Sequence, residues 1–477
     1  MGDSSATISG ANRMAHDLFY GLIHSKRYKK IFLLTDAPPH KIESPAELIW
    51  TDYLTVDRCF AEHGFPDVAF VSDLAMDSLL RLRNSLKAPF PVVGLLHSFG
   101  SRAQFEKLSQ VARAATPADS LICPSESSAR VIRNFGIQPT VIPHGIDVEK
   151  FKPARRKNKR PTLLHLSRIN PFTKMDIMPL IRNFEQIIPE CPDVLLMIVG
   201  EAQSPAYLAN VREYIRKKNL NSHVQLVTHV DQAHIERYYQ QADVFISLAD
   251  LISETFGLSV IEAMACGLPV IVSDWDGQKE LVGDEQGFKI PTYMPGTSVY
   301  DEYFNRLGLS DFGDLAIQSV AMDNERVRQK MKQLLQNKAL REKMGKSSRA
   351  RVQKKFGRDT MIASYQTHFE KCLRKKIKNF PNSEFSQIHH LYSHYATQTV
   401  STQKFELTKS GKKFVAREEL HHTFEKYISF YRYLSDILVL LSTKSQNHKE
   451  LCKKIGAKSV MLDLLYLLKH DLISLRS

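Results

Sequence analysis

Residues Ser253–Gly277 read SETFGLSVIEAMACGLPVIVSDWDG, and the order of the pieces points to one kind of fold. An acid, Glu254, precedes a turn that holds Gly257; an apolar helical stretch, Leu258–Cys266, follows; a Gly-Leu-Pro break then leads into the short, wholly apolar run PVIVS. A strand that is apolar on every residue is buried on both faces, as in a parallel sheet covered by helices. The turn Thr255–Phe256–Gly257–Leu258 sets backbone N–H groups at the start of the helix, where the positive end of the helix dipole suits a phosphate or a carboxylate. Glu262 lies inside that helix, eight residues after Glu254.

The same alternation extends outward in both directions. From Ile31 to Ile142 the runs IFLLTD, VAFVS, PVVGLLH, SLICPS and TVIP are separated by amphipathic stretches. A second series contains PTLLHLS, DVLLMIVG, HVQLVTH, DVFISL, LPVIVS and GFKIP, with helical stretches at Ile177–Ile188, Ala206–Lys218 and Ile235–Gln241. Between the two series, Pro153, the basic run RRKNKR (Arg155–Arg160) and Pro161 interrupt the pattern at Phe151–Pro161. The expected class is α/β: two doubly wound domains over a cleft at the carboxyl ends of their strands, where such sheets bind ligands. Asp323–Lys343 and Lys346–Lys371 read as amphipathic helices. Phe380–Lys412 has weaker periodicity, and Ala416–Leu475 reads as strongly helical, with Phe424, Ile428, Tyr431, Leu434, Leu438 and Leu441 on one stripe. The expected segments are 1–152, 153–345, crossover helices at 346–376, and a basic helical extension at 377–477.

Composition narrows the function classes. With 43% hydrophobic and 24% charged residues over 477 positions, the chain is too apolar for disorder and long enough for several cores. The net charge of +14 favours phosphates, acidic substrates or anionic lipid, and most of it is C-terminal: Lys371–Ser477 holds 19 basic against 9 acidic residues. The cysteines Cys59, Cys123, Cys191, Cys266, Cys372 and Cys452 stand far apart with no C-x-x-C pair, which argues against a disulfide framework and structural zinc and favours a reducing compartment. The stretch MGDSSATISG has no apolar leader, Ala6 breaks the myristoylation pattern, and no apolar run approaches the roughly 20 residues of a membrane span. A cytoplasmic protein is expected, or one peripheral to the cytoplasmic face of a membrane.

Further strings join Ser253–Gly277 in a fixed order: CPSESSARVIRNFGI, VIPHGIDVEKFKP, LHLSRINPFTKMD, MIVGEA and YYQQADVFISL. Together, over roughly Asp119–Leu373, they resemble the E-x7-E region and flanking motifs of GT-B glycosyltransferases of family 4, retaining enzymes that use nucleotide-sugar donors. The resemblance implies GT-B architecture, with two Rossmann-like domains facing a cleft, an acceptor-side domain at 1–152 and a donor domain at 153–345. Arg168 and Lys174 resemble the basic pair that neutralises the donor diphosphate, and fixed cations there stabilise the charge a leaving nucleoside diphosphate gains. One extra residue in the INPFT stretch sets Lys174 slightly off the usual spacing. Glu262 resembles the acid that binds the donor ribose, and Glu254 the acid that faces the donor sugar. The amides of Phe256, Gly257 and Leu258 would contact sugar or phosphate. Glu201 falls where nucleobase and ribose contacts arise, and His97, ending PVVGLLH, matches a histidine that reaches the donor sugar.

Family members begin with a strand running into a glycine-rich loop. Here the chain begins in that loop, with Gly10 before the first helix, so the first strand is expected to be absent. Asp274–Trp275–Asp276 is expected to be a turn, and no obligatory metal or other cofactor is expected. The implied activity is hexosyl transfer, with retention of configuration, from a nucleotide-diphosphate sugar to a hydroxyl of a glycan or lipid-linked acceptor, in cell-surface polysaccharide or glycolipid synthesis. Retention is implied by the family alone, since no carboxylate nucleophile can be assigned. The basic region 371–477 would suit an anionic membrane surface. The alternative is an inactive GT-B scaffold or binding protein with a C-terminal interaction module. KELCKKIGAKSVMLDLLYLLKHDLISL loosely resembles a winged helix-turn-helix, although nucleic acid is not expected as a partner.

Overall fold

The computed structural model describes residues 10–34, 43–52, 55–72, 75–97, 102–154, 160–171, 174–251, 254–294, 320–377, 379–381, 404–408, 412, 433–457, 459–460, 463–464, 467 and 473–476. They fall into two compact units, one made of 1–33, 39–49 and 64–383, the other of 34–38, 50–63 and 384–477.

The larger unit opens with α1 (Gly10–His24), followed by β1 (Lys30–Leu34) and β2 (Glu47–Thr51), whose last residues, Leu34 and Trp50–Thr51, are counted in the smaller unit. The smaller unit takes α2 (Val56–His63). The first sheet then forms from β3 (Ala69–Ser72), β4 (Val92–Leu95), β5 (Ser120–Cys123) and β6 (Thr140–Val141), parallel throughout and in chain order. Its crossovers carry α3 (Met76–Ser85), α4 (Arg102–Ala114) and α5 (Glu126–Arg133). Four of the expected runs therefore pair as expected. The fifth, IFLLTD, does not join them: β1 pairs with β2 in a separate two-stranded ladder. Only Leu33 of β1 is buried, whereas β4 is buried on every residue, as an interior parallel strand has to be.

The second sheet is the fuller one. Its strands are β7 (Thr162–Leu166), β8 (Leu195–Val199), β9 (Val224–Val227), β10 (Val244–Ser247), β11 (Val270–Ser273) and β12 (Gly287–Ile290). Their order is β12-β11-β10-β7-β8-β9, all parallel. Counted from β7 this is the doubly wound order 3-2-1-4-5-6, whose direction reverses between β7 and β10, the place where such sheets bind ligands. Helices α6 (Ile177–Ile187), α7 (Pro205–Lys217), α8 (Glu236–Gln241), α9 (Leu258–Ala265) and α10 (Gln278–Leu281) cover its faces. One core packs Leu163, Ile198 and Ile246 under Leu180, Phe184 and Met331, and the other packs Phe245, Val270 and Val272 under Tyr239, Ile261 and Met264.

After the short pair β13 (Thr292–Tyr293) and β14 (Ala321–Met322), three helices follow: α11 (Asn324–Gln336), α12 (Lys338–Lys355) and α13 (Arg358–Leu373). Two were expected from Asp323–Lys371. Breaks fall at Asn337, whose side chain accepts from the Leu340 amide to cap α12, and at Phe356–Gly357 ahead of α13. Returning over the first sheet, α13 shares a core with α1 through Met14, Leu18, Val93, Leu95, Tyr365 and Phe369. Gly10 is the first residue of α1, not part of a loop ahead of it, and residues 1–9 lie outside the described residues.

The extension is not wholly helical. Strands β15 (Lys404–Leu407), β16 (Gln446–Asn447) and β17 (Ile473–Arg476) make an antiparallel sheet in the order β16-β15-β17, beside α14 (Leu434–Thr443) and α15 (His448–Ile455). Phe405, Leu407, Ile437, Leu441, Leu451, Leu464 and Ile473 form its own core. A reciprocal capping box between Asn447 and Glu450 starts α15, and Gly456, at φ +75°, ends it. Leu434, Leu438 and Leu441 bury one face of α14 as the stripe implied; Phe424, Ile428 and Tyr431 lie outside the described residues, as do 155–159 of the basic run. Among the described residues the six cysteines form no disulfide. Among the described residues no helix is long and apolar enough to cross a membrane.

Candidate functional site

The site residues collect at the carboxyl ends of β7, β10 and β11, around the reversal point. Beyond β7 the chain stays zipped to the loop after β8: the Ile169 amide donates to the Glu201 carbonyl at 2.9 Å, and the Gln203 amide returns to the Ile169 carbonyl at 3.2 Å. Gly200 makes this approach possible, because a Cβ there would sit 1.6 Å from the Ser167 carbonyl oxygen. Arg168 and Glu201 are thus held on adjacent loops. Beneath them His165, fully buried on β7, bonds the Ile246 carbonyl of β10 at 3.0 Å and the Ser167 hydroxyl at 2.8 Å. Burial pushes its imidazole down to about 4.

Lys174 and Glu254, 80 residues apart in sequence, meet here. The ammonium donates to Glu254 Oε2 at 2.8 Å, with Glu254 only 12% exposed and Lys174 31%. Among the described residues the Arg168 guanidinium makes no ion pair. Asp176 caps α6 by accepting from the Met178 amide at 2.9 Å. Asp250, just past β10, is pushed up to about 8, first by burial and then by the neighbouring charges of Asp176 and Glu254. The arrangement gathers acidic side chains around one paired cation, Lys174, with a second cation, Arg168, close by in sequence.

From Glu254 the chain runs through Thr255 and Phe256 to Gly257, which caps α9 at φ +105°, a conformation that favours glycine. A Cβ at Gly257 would also meet Gln278 Cγ at 2.9 Å. Gln278 is buried, donates to Ser247 Oγ at 3.1 Å, and leaves its Oε1 without a partner among the described residues. Thr255 donates its hydroxyl to the His97 carbonyl oxygen. His97 is 6% exposed; its Nε2 lies 2.7 Å from Ser72 Oγ and its Nδ1 is unpartnered among the described residues. Burial pushes it down to about 4, so the ring is neutral. His144, just past β6, lies with its ring centroid 5.5 Å from that of His97 and 4.9 Å, edge-on, from that of Phe256. It too has an unpartnered Nδ1, and burial holds it well below the usual imidazole range.

The structure therefore brings Arg168, Lys174, Glu201, Glu254, Phe256, Gly257, Leu258 and His97 to this end of the larger unit, while Gly10 begins α1. Glu262 sits deeper. It is 1% exposed inside α9, and its Oε2 accepts from the Tyr239 hydroxyl at 2.7 Å. Asp274–Trp275–Asp276 is a turn: the Trp275 indole donates to the Leu251 carbonyl at 2.8 Å, and Asp276 adopts a left-handed φ of +41°. Sequence reasoning missed His144 and Gln278. His144 closes the apolar stretch VIPH three residues past β6, much as His97 closes PVVGLLH two residues past β4, so the rule that singled out His97 applies to it equally; Gln278 gives no local signal.

Known proteins match the chain over the same two regions. The family model described as "Glycosyl transferases group 1" matches residues 147–298, and the one described as "Glycosyltransferase Family 4" matches residues 24–150. Together they span the helices, sheets and loops that build the site, and the chain belongs to the group 1 glycosyltransferases of GT-B fold. Among individual proteins, it is 30% identical over 228 residues to D-inositol 3-phosphate glycosyltransferase 2 of Catenulispora acidiphila, covering 43% of this chain and 52% of that one. It is 28% identical over 183 residues to the alpha-monoglucosyldiacylglycerol synthase of Streptococcus pneumoniae, covering 35% and 40%. The matches thus span about half or less of these relatives' lengths. In fold it is similar to a glycosyltransferase from Rickettsia africae (TM-score 0.60, 15% identity, 78% of this chain and 97% of that one). It is also similar to sucrose-phosphate synthase from Thermosynechococcus elongatus (TM-score 0.55, 21% identity, 77% and 94%).

Proposed function

We propose that the chain transfers a hexosyl unit from a nucleotide-diphosphate sugar to a hydroxyl of a glycolipid, lipid-linked or glycan acceptor, with retention of configuration. The observation that carries this reading is the Lys174–Glu254 ion pair at the β7/β10 reversal, beside the glycine-capped start of α9. A diphosphate docking on the α9 amides draws Lys174 and Arg168 to its oxygens, and Glu254, released from Lys174, accepts from a sugar hydroxyl. Neutral His97 offers an uncharged ring nitrogen to the sugar from the opposite sheet. Glu262 and Glu201 take the ribose and base, Glu262 by exchanging its Tyr239 partner for the diol.

With no carboxylate placed as nucleophile, the bond from the anomeric carbon to the phosphate oxygen breaks while the acceptor oxygen bonds the same carbon from the same face. The departing phosphate oxygen takes the acceptor's proton. The cations and α9 amides stabilise the charge left on the nucleoside diphosphate. The chain itself would work on the cytoplasmic side, with the basic 371–477 region meeting anionic lipid, as suits relatives whose names place them in glycolipid synthesis.

The test is release of nucleoside diphosphate from UDP-, GDP- and ADP-sugars with and without a membrane lipid extract. One donor consumed faster with lipid supports the reading. If none is consumed under any condition, an inactive scaffold is the better description.

A further inference from the structure

The Asp276–Glu280 segment joins the two sheets of the larger unit, and its contacts form a chain. At one end, both Glu280 oxygens accept from the first two amides of α5, Glu126 N–H at 2.8 Å and Ser127 N–H at 2.6 Å. These are donors that a helix cannot satisfy internally. The next amide, Ser128, is taken by the helix's own cap, Ser125, at 3.2 Å, so α5 depends on the other sheet's carboxylate to complete its N-terminus. Asp276 carries a second bond, from the Ser127 side chain, and burial pushes its carboxyl up to about 7.

At the other end the segment grips the Glu254–Gly257 loop. The Gly277 amide donates to the Glu254 carbonyl at 3.3 Å, and a Cβ on Gly277 would lie 1.9 Å from the Thr255 carbonyl oxygen. Gln278 packs under Gly257. From behind, Arg351 of α12 donates to the carbonyls of Leu281 at 2.7 Å and Glu280 at 3.1 Å, which ties α10 to α12. The same Glu254–Gly257 loop touches the first sheet at His97 through Thr255.

We propose that Glu280 is a positioning residue that couples docking of α5 to the placement of Glu254 against His97. The clamp holds the two sheets at the separation in which sugar-facing groups from both can act on one donor. Its catalytic consequence rests on the donor-site reading above; the mechanical coupling does not.

The experiment is hydrogen exchange on the full chain, comparing wild type, Glu280→Gln and Ser125→Ala, with nucleoside diphosphate affinity measured alongside. Glu280→Gln sets an amide N–H against a backbone N–H. It is expected to speed exchange of the Glu126 and Ser127 amides by about tenfold, as loss of a charge-assisted bond implies. Exchange in 254–266 should rise with it, turnover should fall with little change in nucleotide affinity, and Glu280→Asp should restore part of both. Ser125→Ala removes a cap internal to α5 and should loosen α5 alone. If Glu280→Gln leaves 254–266 exchanging as in wild type, or behaves like Ser125→Ala, Glu280 is only a helix cap and the coupling is overturned. Failure of the wild type to bind any nucleotide would instead count against the donor-site reading, and the exchange comparison would still decide the coupling.

Discussion

Among single residues, the proposed function leans most on the Lys174–Glu254 ion pair. Their separation of 2.8 Å in a partly dry setting means that neither can be removed without stranding the other. Lys174→Met is expected to cut turnover by roughly 10²–10³-fold, the range for losing one preorganised group that stabilises developing charge, and steady-state kinetics on the preferred donor checks it. Asp250 gives a pH test with a definite sign. Its folded pKa, about 8, lies above the unfolded value, so the stability attached to its neutral form is complete at acid pH and lost as pH rises through about 8. Asp250→Asn, which never ionises, should gain on wild type from about pH 4 upward and level off above about pH 8 in urea titrations. A difference that stays constant with pH would rule out Asp250 as the buried titrating group. His97 was legible because it ends an apolar run. Gln278 was not, since its importance arises only when the β11–α10 turn folds beneath Gly257.

The elements show where local pattern suffices. Short apolar runs set between helical stretches announce themselves, and VAFVS, PVVGLLH, SLICPS and the runs of the second sheet all pair in parallel. The run IFLLTD has the same local composition as these. What removes β1 from the sheet is its pairing with β2, a tertiary choice with no local mark. In the extension the apolar stripe of α14 was plain, whereas four-residue strands such as KFEL and ISLR give too little period-2 pattern to stand out beside strong helical signals. Close approaches are equally silent in sequence. Gly200→Ala must drive a methyl into the Ser167 carbonyl, and we expect a loss of about 3 kcal/mol in unfolding free energy together with weakened nucleotide binding. An unchanged urea midpoint would mean that the two loops can separate freely. Tyr239→Phe leaves the buried Glu262 carboxylate short of a donor and should cost about 1–3 kcal/mol by the same measurement.

At the scale of the whole molecule, every residue of the proposed donor site lies within 64–383, and the smaller unit has a core drawn from Phe405 to Ile473. A chain ending at Ser383 is therefore expected to bind the same nucleotide within about threefold, a difference below 1 kcal/mol. If 371–477 meets lipid, that truncation should also lose salt-sensitive binding to anionic vesicles. The proposed donor site is put to the test by calorimetric titration of UDP, GDP and ADP, without added metal, into the full chain and Arg168→Ala. Micromolar binding of one of the three is expected, weakened about tenfold or more by the substitution. No binding of any of them, or binding that Arg168→Ala leaves unchanged, would contradict the proposed site.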